Sequence, residues 1–257
     1  MNILFIGDIA GRYEELKELV GKFPNHRIIA LGDLQDRGPD SKKVLDFLMQ
    51  NNIEALYGNH EEMFLDFITN DFYTQDFWLT FIMNGGIPTL RSYVDFDEDD
   101  LVKRTSMYYH IYTRTYEYRY DFRYKPKDFF KTESYKKNKN FVYKLLNDLN
   151  IIRSKIDKKY INYIKSLPRY IKEKDFLATH APVIEDFANV NVYGSNFLWN
   201  RIPPIERPYN QIYGHNTKKS FKQFSKTFSC CVDDSGNNRL NALDYSTKQF
   251  VFVEYKD

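Results

Sequence analysis

The chain has 257 residues and a formal net charge of +2, with 42% hydrophobic and 17% aromatic residues. This length supports one sizeable α/β domain with an insertion. No apolar segment approaches the roughly 20 residues of a membrane helix, which argues against a membrane-spanning chain and a membrane partner. The two cysteines, Cys230 and Cys231, are adjacent, which excludes a disulfide framework and favours a reducing, cytoplasmic location.

Three short apolar runs lie near the start of the chain, and each is followed by a glycine, a polar cluster and an amphipathic stretch. The predicted strands cover residues 2–6, 27–31 and 53–57, and the predicted crossover helices cover residues 14–20, 41–49 and 61–68. The first run reaches Asp8 without a basic start or a cleavage site, so we expect a strand and not a signal peptide. Ligands bind beyond the carboxyl ends of parallel strands, where all three polar clusters are expected.

The composition changes between about residues 91 and 172, where Tyr, Lys and Arg dominate. We predict an inserted, largely helical cap over residues 91–172, within a catalytic domain formed by residues 1–90 and 173–257. The glycine pair in residues 78–90 indicates a turn just before the cap. Within the cap, the clearest helical patterns cover residues 141–150 and 158–167, whereas residues 108–124 alternate as a strand or an extended segment would.

The charge is distributed unevenly along the chain. Residues 101–172 carry 19 Lys and Arg against 6 Asp and Glu, and they hold 12 of the 21 tyrosines. Basic residues interleaved with aromatic rings suit nucleic-acid or nucleotide binding. Alternatively, the lysines cover solvated helix faces while the tyrosines build the core of a small cap. Under either interpretation, the positive charge would attract anionic substrates.

Strand patterns return after the cap. The predicted strands cover residues 175–182, 210–217 and 226–236, followed by a closing hairpin of residues 238–246 and 249–255.

Five polar motifs follow these strands in a fixed order: GD, GDxxDRG, GNHE, a late TH and a late GH. Their polar residues are Asp8, Asp33, Asp36, Arg37, Asn59, His60, His180 and His215. A lone histidine is more often a hydrogen-bonded core or surface residue than a ligand, but the joint occurrence has few alternative explanations. Oxygen and imidazole ligands in this mixture suit manganese, iron or zinc better than a calcium or pure magnesium cage.

The segments GDIAGR, GDLQDRGPDS, YGNHEEM, THAP, LWNR and YGHN closely resemble the phosphoprotein-phosphatase branch of the calcineurin-like metallophosphoesterases. The resemblance covers residues 1–90 and about 175–257. LWNRI is further similar to the short phage and bacterial members typified by the phage lambda phosphatase, which lie near the dinucleoside tetraphosphate hydrolases. The resemblance implies an α/β fold, a four-layered αββα sandwich, and two divalent metal ions, preferably Mn²⁺, with Fe, Zn or Ni as alternatives.

The resemblance also implies a ligand set. Asp33 bridges the two metals, Asn59, His180 and His215 complete the second site, and Asp8 belongs to the first.

Four further residues match the catalytic positions of the family. Arg37 and Arg201 match the phosphate-binding arginines, and a planar guanidinium suits the paired oxygens of a phosphoryl group. His60 matches the general acid, and Asp36 would orient its imidazole.

The chain departs from the family at Ala10, where the motif GDxHG has a histidine ligand of the first metal. Many relatives carry a further histidine after the late GH, but here Asn216 and Thr217 follow. We therefore expect a weak first metal, held by Asp8, Asp33 and water. Three explanations fit Ala10: an engineered inactive variant, a natural enzyme with one weak metal, or a natural pseudo-enzyme that binds phosphorylated ligands without turnover.

A second departure is Tyr57, where lambda-type phosphatases tend to have an arginine. A phenol carries no charge, so the substrate can differ from that of the protein phosphatases. We expect a metal-dependent phosphoesterase, with phosphorylated Ser/Thr proteins first and dinucleoside polyphosphates, nucleotides or nucleic-acid phosphates second.

Overall fold

The computed structural model describes residues 2–73, 77–115, 126–184, 196–202 and 204–256. The helices are α1 (Tyr13–Gly21), α2 (Ser41–Gln50), α3 (Asn59–Thr69), α4 (Phe77–Phe81), α5 (Ile87–Tyr93), α6 (Glu98–Thr115), α7 (Pro126–Phe129), α8 (Glu133–Ser154), α9 (Lys158–Ser166) and α10 (Asn196–Trp199). The strands are β1 (Ile3–Ile6), β2 (Arg27–Ala30), β3 (Glu54–Ala55), β4 (Tyr170–Lys172), β5 (Phe176–Thr179), β6 (Asn210–Tyr213), β7 (Ser220–Gln223), β8 (Phe228–Cys231), β9 (Arg239–Asp244) and β10 (Gln249–Glu254).

The strands form two five-stranded sheets. The first sheet has the order β10-β9-β1-β2-β3, and β1, β2 and β3 run parallel. The second has the order β4-β5-β6-β8-β7, and β5, β6 and β8 run parallel. Each sheet therefore has one edge where the carboxyl ends of three parallel strands meet.

Alternating side chains of β1 separate two apolar layers. Ile3 and Phe5 pack with apolar residues of the second sheet, among them Phe176 and Ile212, in one buried cluster. Leu4 and Ile6 belong to a second cluster with apolar residues of the helices. Because successive strand residues point to opposite faces, the first sheet has the second sheet on one face and helices on the other. The predicted α/β fold is confirmed, with two sheets at its centre.

The predicted strands and helices of the first 70 residues all form, with boundaries shifted by one to three residues at most places. The later strands and the closing hairpin also form. The predicted turn within residues 78–90 is a π-helical turn, Ile82–Gly86, between α4 and α5. Gly85 has φ of 99° there, a conformation that glycine adopts without steric cost.

The alternative of a strand at residues 108–124 is wrong for its first part. Residues 108–115 belong to helix α6, and residues 116–124 lie outside the described residues. Tyr108 and Tyr112 lie four residues apart, and their rings stack with centroids 5.9 Å apart, as neighbours on one helix face do. Both rings also contact Phe129. The spacing of Tyr108 and Tyr112 therefore reflects packing on one face of a helix.

The helices of the predicted cap share a core with the rest of the protein. Buried residues of α6, α8 and α9 join the same apolar cluster as α1, α2 and α3. Arg153 of α8 donates hydrogen bonds to the carbonyl oxygens of Phe67 and Asn70, at the end of α3. Strand β4, within residues 91–172, pairs with β5. The division into a cap and a catalytic domain stays a prediction. None of the described helices is long and apolar enough to cross a membrane.

Candidate functional site

The polar motifs converge where the parallel strands of both sheets end. Asp8 follows β1, Asp33 follows β2, Asn59 opens α3 after β3, His180 follows β5 and His215 follows β6. All five side chains are at most 3% exposed. The ligand atoms of Asp33, His180 and His215 lie within 4.8 Å of one another. The structure thus brings together residues that are up to 182 positions apart in the chain.

Asp33 lies at the centre of this group. Its Oδ1 accepts a hydrogen bond from the backbone N–H of His60 (3.0 Å) and lies 3.3 Å from Nε2 of His180. Burial opposes ionisation of Asp33, but His180, His60 and this N–H outweigh burial and lower its pKa to about 2. Asp33 is therefore an anion that can attract a cation.

His180 offers a lone pair to the same space. Its Nδ1 lies 2.8 Å from the carbonyl oxygen of Leu31, which can only accept, so Nδ1 carries the proton. Nε2 then faces Oδ1 of Asn59 at 2.8 Å and the carboxylate of Asp33. When Nε2 is unprotonated, this nitrogen, Oδ1 of Asn59 and the carboxylate of Asp33 are three converging acceptors, and such a set fits a metal ion.

The second imidazole of the group, that of His215, also has a nitrogen that can bind a metal. Its Nε2 is buried and has no hydrogen-bond partner among the described residues. Burial first, and then the neighbouring His180, lower the pKa of His215 to about 3, so the ring stays neutral. A buried neutral imidazole with an unused lone pair is a suitable metal ligand. These residues therefore fit a divalent metal.

Beside the candidate metal ligands, Asp36, His60 and Arg37 form a hydrogen-bonded chain. Oδ2 of Asp36 lies 2.6 Å from Nδ1 of His60, and Nη2 of Arg37 lies 2.9 Å from Nε2 of the same ring. Thr89 donates to Oδ1 of Asp36 (2.6 Å) and fixes its carboxylate. Since Asp36 can only accept, Nδ1 of His60 carries a proton and Nε2 faces Arg37.

The pKa of His60 results from opposing effects. Burial alone would lower it, but the charge of Asp33 and the hydrogen bond to Asp36 outweigh burial and raise the pKa to about 8. His60 can therefore hold a second proton near neutral pH. That proton would sit on Nε2, where Arg37 now lies, so Arg37 must turn away when His60 is charged.

Glu61 is a supporting residue that the motif search named within GNHE but gave no role. It is fully buried, and its carboxylate accepts backbone N–H bonds from Asp33, Leu34 and Gly58, each 2.9 Å long. Burial and the nearby Asp33 raise its pKa to about 8. Glu61 ties the loop after β2 to the start of α3, and so it positions Asp33 against Asn59.

Arg201 lies at the rim of the group. Its Nη1 donates to the carbonyl oxygen of His215 (2.9 Å), while the residue as a whole is exposed. Trp199 is 38% exposed and lies edge-on to the ring of His215, with centroids 6.1 Å apart. Arg201 is thus close to the metal ligands and accessible to a ligand.

The methyl group of Ala10 lies where the motif predicts an imidazole. Ala10 is buried and hydrogen-bonds through its backbone to Asp33 and Gly38. Its φ is +50°, in the left-handed region that non-glycine residues rarely adopt. The positions with positive φ in this group are Ala10, Asp33, Asp36, Arg37 and His215, at φ of 50° to 70°. Strained backbone of this kind is concentrated at functional sites.

Asp233 is a carboxylate near Asp8 to which the motifs gave no role. It follows β8, is 0% exposed, and its Oδ2 has no hydrogen-bond partner among the described residues. Burial, then the charges of Asp233 and Asp33, raise the pKa of Asp8 well above its usual range. The sequence does contain a signal for Asp233, namely an acidic residue at the end of another predicted strand.

Tyr57 is nearly buried, and its ring stacks under the guanidinium of Arg169, with Cζ 4.5 Å from the ring centroid. The two residues line one cavity at the junction of β3 and β4. A cation and an aromatic ring therefore lie together at the position where the resemblance leads us to expect an arginine.

Comparison with known proteins finds a matching family and several relatives. A family model described as calcineurin-like phosphoesterase matches residues 1–219. The chain is 43% identical over 67 residues to a symmetrical bis(5'-nucleosyl)-tetraphosphatase of Buchnera aphidicola subsp. Schizaphis graminum, covering 24% of each protein. It is 36% identical over 89 residues to serine/threonine-protein phosphatase 1 of Salmonella typhimurium, covering 33% of this chain and 39% of that protein.

The chain thus spans well under half the length of these curated relatives. A solved structure of a candidate diadenosine tetraphosphatase superposes with a TM-score of 0.60 at 14% identity, and the match covers 100% of this chain and 94% of that one. At this identity the likeness concerns the fold alone.

Proposed function

The chain belongs to the calcineurin-like phosphoesterase family, and on that premise we propose that it is a metal-dependent phosphatase that hydrolyses phosphate monoesters. The observation that carries the proposal is the hydrogen-bonded chain of Asp36, His60 and Arg37 directly beside Asp33. It combines a proton donor, a phosphate-binding cation and a metal ligand within a few ångströms.

Two divalent metals, with Mn²⁺ as the preferred ion, would polarise the phosphoryl group and acidify water when bound. Asp33 would help to hold both. Asn59, His180 and His215 would complete the second site, and Asp8 would hold the first.

The remaining steps fall to four side chains. Arg37 and Arg201 would bind the phosphoryl oxygens, since a guanidinium donates two parallel hydrogen bonds to such oxygens. Binding would draw Arg37 away from Nε2 of His60, which could then protonate the leaving oxygen. Asp36 would hold the other ring nitrogen and stabilise the charged ring.

As the substrate we propose first a protein phosphorylated on Ser or Thr, because the LWNR segment resembles the lambda-type phosphatases and its Arg201 lies beside His215. A second candidate is a dinucleoside polyphosphate, nucleotide or nucleic-acid phosphate. It is favoured by the stacked pair of Tyr57 and Arg169, which could contact a base or a second phosphate, and by the basic residues 101–172. A phospholigand-binding protein without turnover is the third.

We further propose a cytoplasmic protein of phage or bacterial origin. The two cysteines are free and buried, which suits a reducing compartment.

The decisive experiment compares the chain with its Ala10→His variant. Both are assayed with Mn²⁺ on p-nitrophenyl phosphate, a phosphopeptide and diadenosine tetraphosphate. We expect the variant to turn over faster and to saturate at lower Mn²⁺, because an imidazole is added to the first site. The better of the two natural substrates identifies the class.

Other outcomes have distinct meanings. If the histidine variant alone is active, Ala10 inactivates an otherwise complete enzyme. If neither protein hydrolyses any of the three compounds, the phosphatase proposal is wrong and the binding protein takes its place.

A further inference from the structure

We propose that Asp233 is a ligand of the first metal and takes the place of the imidazole that Ala10 cannot provide. The inference rests on the proposed function, since it concerns the same metal centre. It predicts that the chain binds two metals in spite of Ala10.

The topology brings Asp233 to the correct edge of the sheet. Strand β8 lies beside β6 and runs parallel to it. His215 follows β6, and Asp233 follows β8 in the same way. A methyl group added to Gly7 would lie 2.8 Å from the Cα of Asp233, so the loop after β8 packs directly against the residue before Asp8. Asp233 is therefore a further residue at a strand end of this site.

The side chain of Asp233 lacks a partner that its burial requires. Its Oδ1 accepts the backbone N–H of Ser235 at 2.8 Å. Its Oδ2 is buried and makes no hydrogen bond of normal geometry among the described residues, although the backbone N–H of Thr217 and the hydroxyl of Ser235 also stabilise the carboxylate. An unpaired buried carboxylate oxygen is costly, and it is usually satisfied by a proton, a donor or a metal ion.

Three buried carboxylates, Asp8, Asp33 and Asp233, follow parallel strands of the two sheets at this site. The ligand atoms of Asp33, His180 and His215 all lie within 4.8 Å of one another. The oxygens of the three carboxylates are spread more widely than this. Like charges repel, so a bound dication is needed to draw the three together.

The proposed ligands give the two sites different chemistry. The first would have only carboxylates and water, which suit Mn²⁺ or Mg²⁺. The second would have two imidazoles, His180 and His215, which suit Zn²⁺ and Mn²⁺ alike. The centre would therefore hold a pair of unlike metals when both Zn²⁺ and Mg²⁺ are present.

The test is to titrate the metal-free protein with MnCl₂ by calorimetry, and to record the electron paramagnetic resonance spectrum of the loaded protein. We expect two binding events and the signal of a spin-coupled Mn²⁺ pair. In Asp233→Asn the weaker event should lose affinity by about 10-fold or more, and the coupled signal should vanish. The tighter event should be unchanged.

A matched control is Asp234→Asn. Asp234 is also buried, but it pairs with Lys219 at 3.3 Å and accepts a hydrogen bond from Asn237 at 2.7 Å. This variant should bind two metals as the parent does. A second comparison adds Asp233→Asn to Ala10→His, where the imidazole should restore the weaker event.

The proposal is overturned if Asp233→Asn keeps both events with unchanged affinity, or if the parent binds a single metal. If Asp233→Asn does not fold, Ala10→His is compared with Ala10→His carrying Asp233→Asn: the weaker event should be present in both but of lower affinity without Asp233, and equal affinity would overturn the proposal. None of these readouts depends on turnover. Loss of one metal in a protein that hydrolyses nothing would leave this inference standing while the proposed function fails.

Discussion

Protonation of the leaving group depends on a single carboxylate, Asp36, which holds His60 in place. Only the charged form of His60 can give a proton to the leaving oxygen. Activity is therefore present below the pKa of His60 and is lost as the pH rises through that pKa. Asp36→Asn removes one of the charges that raise the pKa of His60 to about 8. We expect kcat to fall by about 100-fold and the alkaline limb of the pH profile to move to lower pH.

The leaving group provides the control for this prediction. Nitrophenolate leaves without a proton, whereas the alkoxide of phosphoserine needs one. The loss in Asp36→Asn should therefore be much smaller on p-nitrophenyl phosphate than on a phosphopeptide. Equal losses on both would mean that Asp36 acts on something other than proton transfer.

Glu61 gives a second prediction, on stability. Its two carboxylate oxygens accept three backbone N–H groups. In Glu61→Gln, the amide NH₂ must face at least one of these donors, whichever way it turns. We expect a loss of about 1–3 kcal/mol in the free energy of unfolding, measured by urea denaturation, together with weaker Mn²⁺ binding. Unchanged stability would mean that the N–H groups find other acceptors.

At the scale of loops and helices, Gly38 determines how closely the loop after β2 approaches the loop after β1, which contains Ala10. A methyl group added there would lie 2.4 Å from the carbonyl oxygen of Ala10. Gly38→Ala should therefore push the two loops apart and cost about 1–3 kcal/mol. Gly21, at the end of α1, has nothing within 4 Å of an added methyl group, and Gly21→Ala should be neutral or slightly stabilising. Thermal unfolding of both variants checks the contrast.

The strands and helices of the first 70 residues could be predicted from the sequence, because each unit of strand, glycine and helix has a local residue pattern. The motif residues could be predicted to converge because strand ends of a parallel sheet meet at one edge. Helix α6 could not be predicted, because the spacing of Tyr108, Tyr109 and Tyr112 does not distinguish a strand from a helix until the packing partner Phe129 is known. The role of Asp233 could not be predicted either, because the sequence does not show whether Asp233 or Asp234 lies on the side of Asp8.

At the scale of the whole molecule, the excess of positive charge in residues 101–172 should speed substrate capture. Lys137 and Lys144 are exposed on α8. Replacing both by Gln should lower kcat/KM on diadenosine tetraphosphate by about 2-fold at low salt, with little effect at high salt. Replacing Lys222 and Lys226, which are also exposed but lie outside the basic segment, is the matched control. Equal effects of the two pairs would mean that net charge alone matters.

The left-handed backbone at Ala10, Asp33, Asp36, Arg37 and His215 has a consequence for folding as well as for chemistry. Each such residue costs about 1 kcal/mol that the fold must recover elsewhere. Metal binds the folded chain only, so at 100 times its Kd it adds about 2.7 kcal/mol to stability. We expect Tm to rise by about 5–10 °C between EDTA and saturating Mn²⁺; an unchanged Tm would contradict this. The metal supply around the protein would then set the fraction of molecules that is folded, in addition to the rate at which each one works.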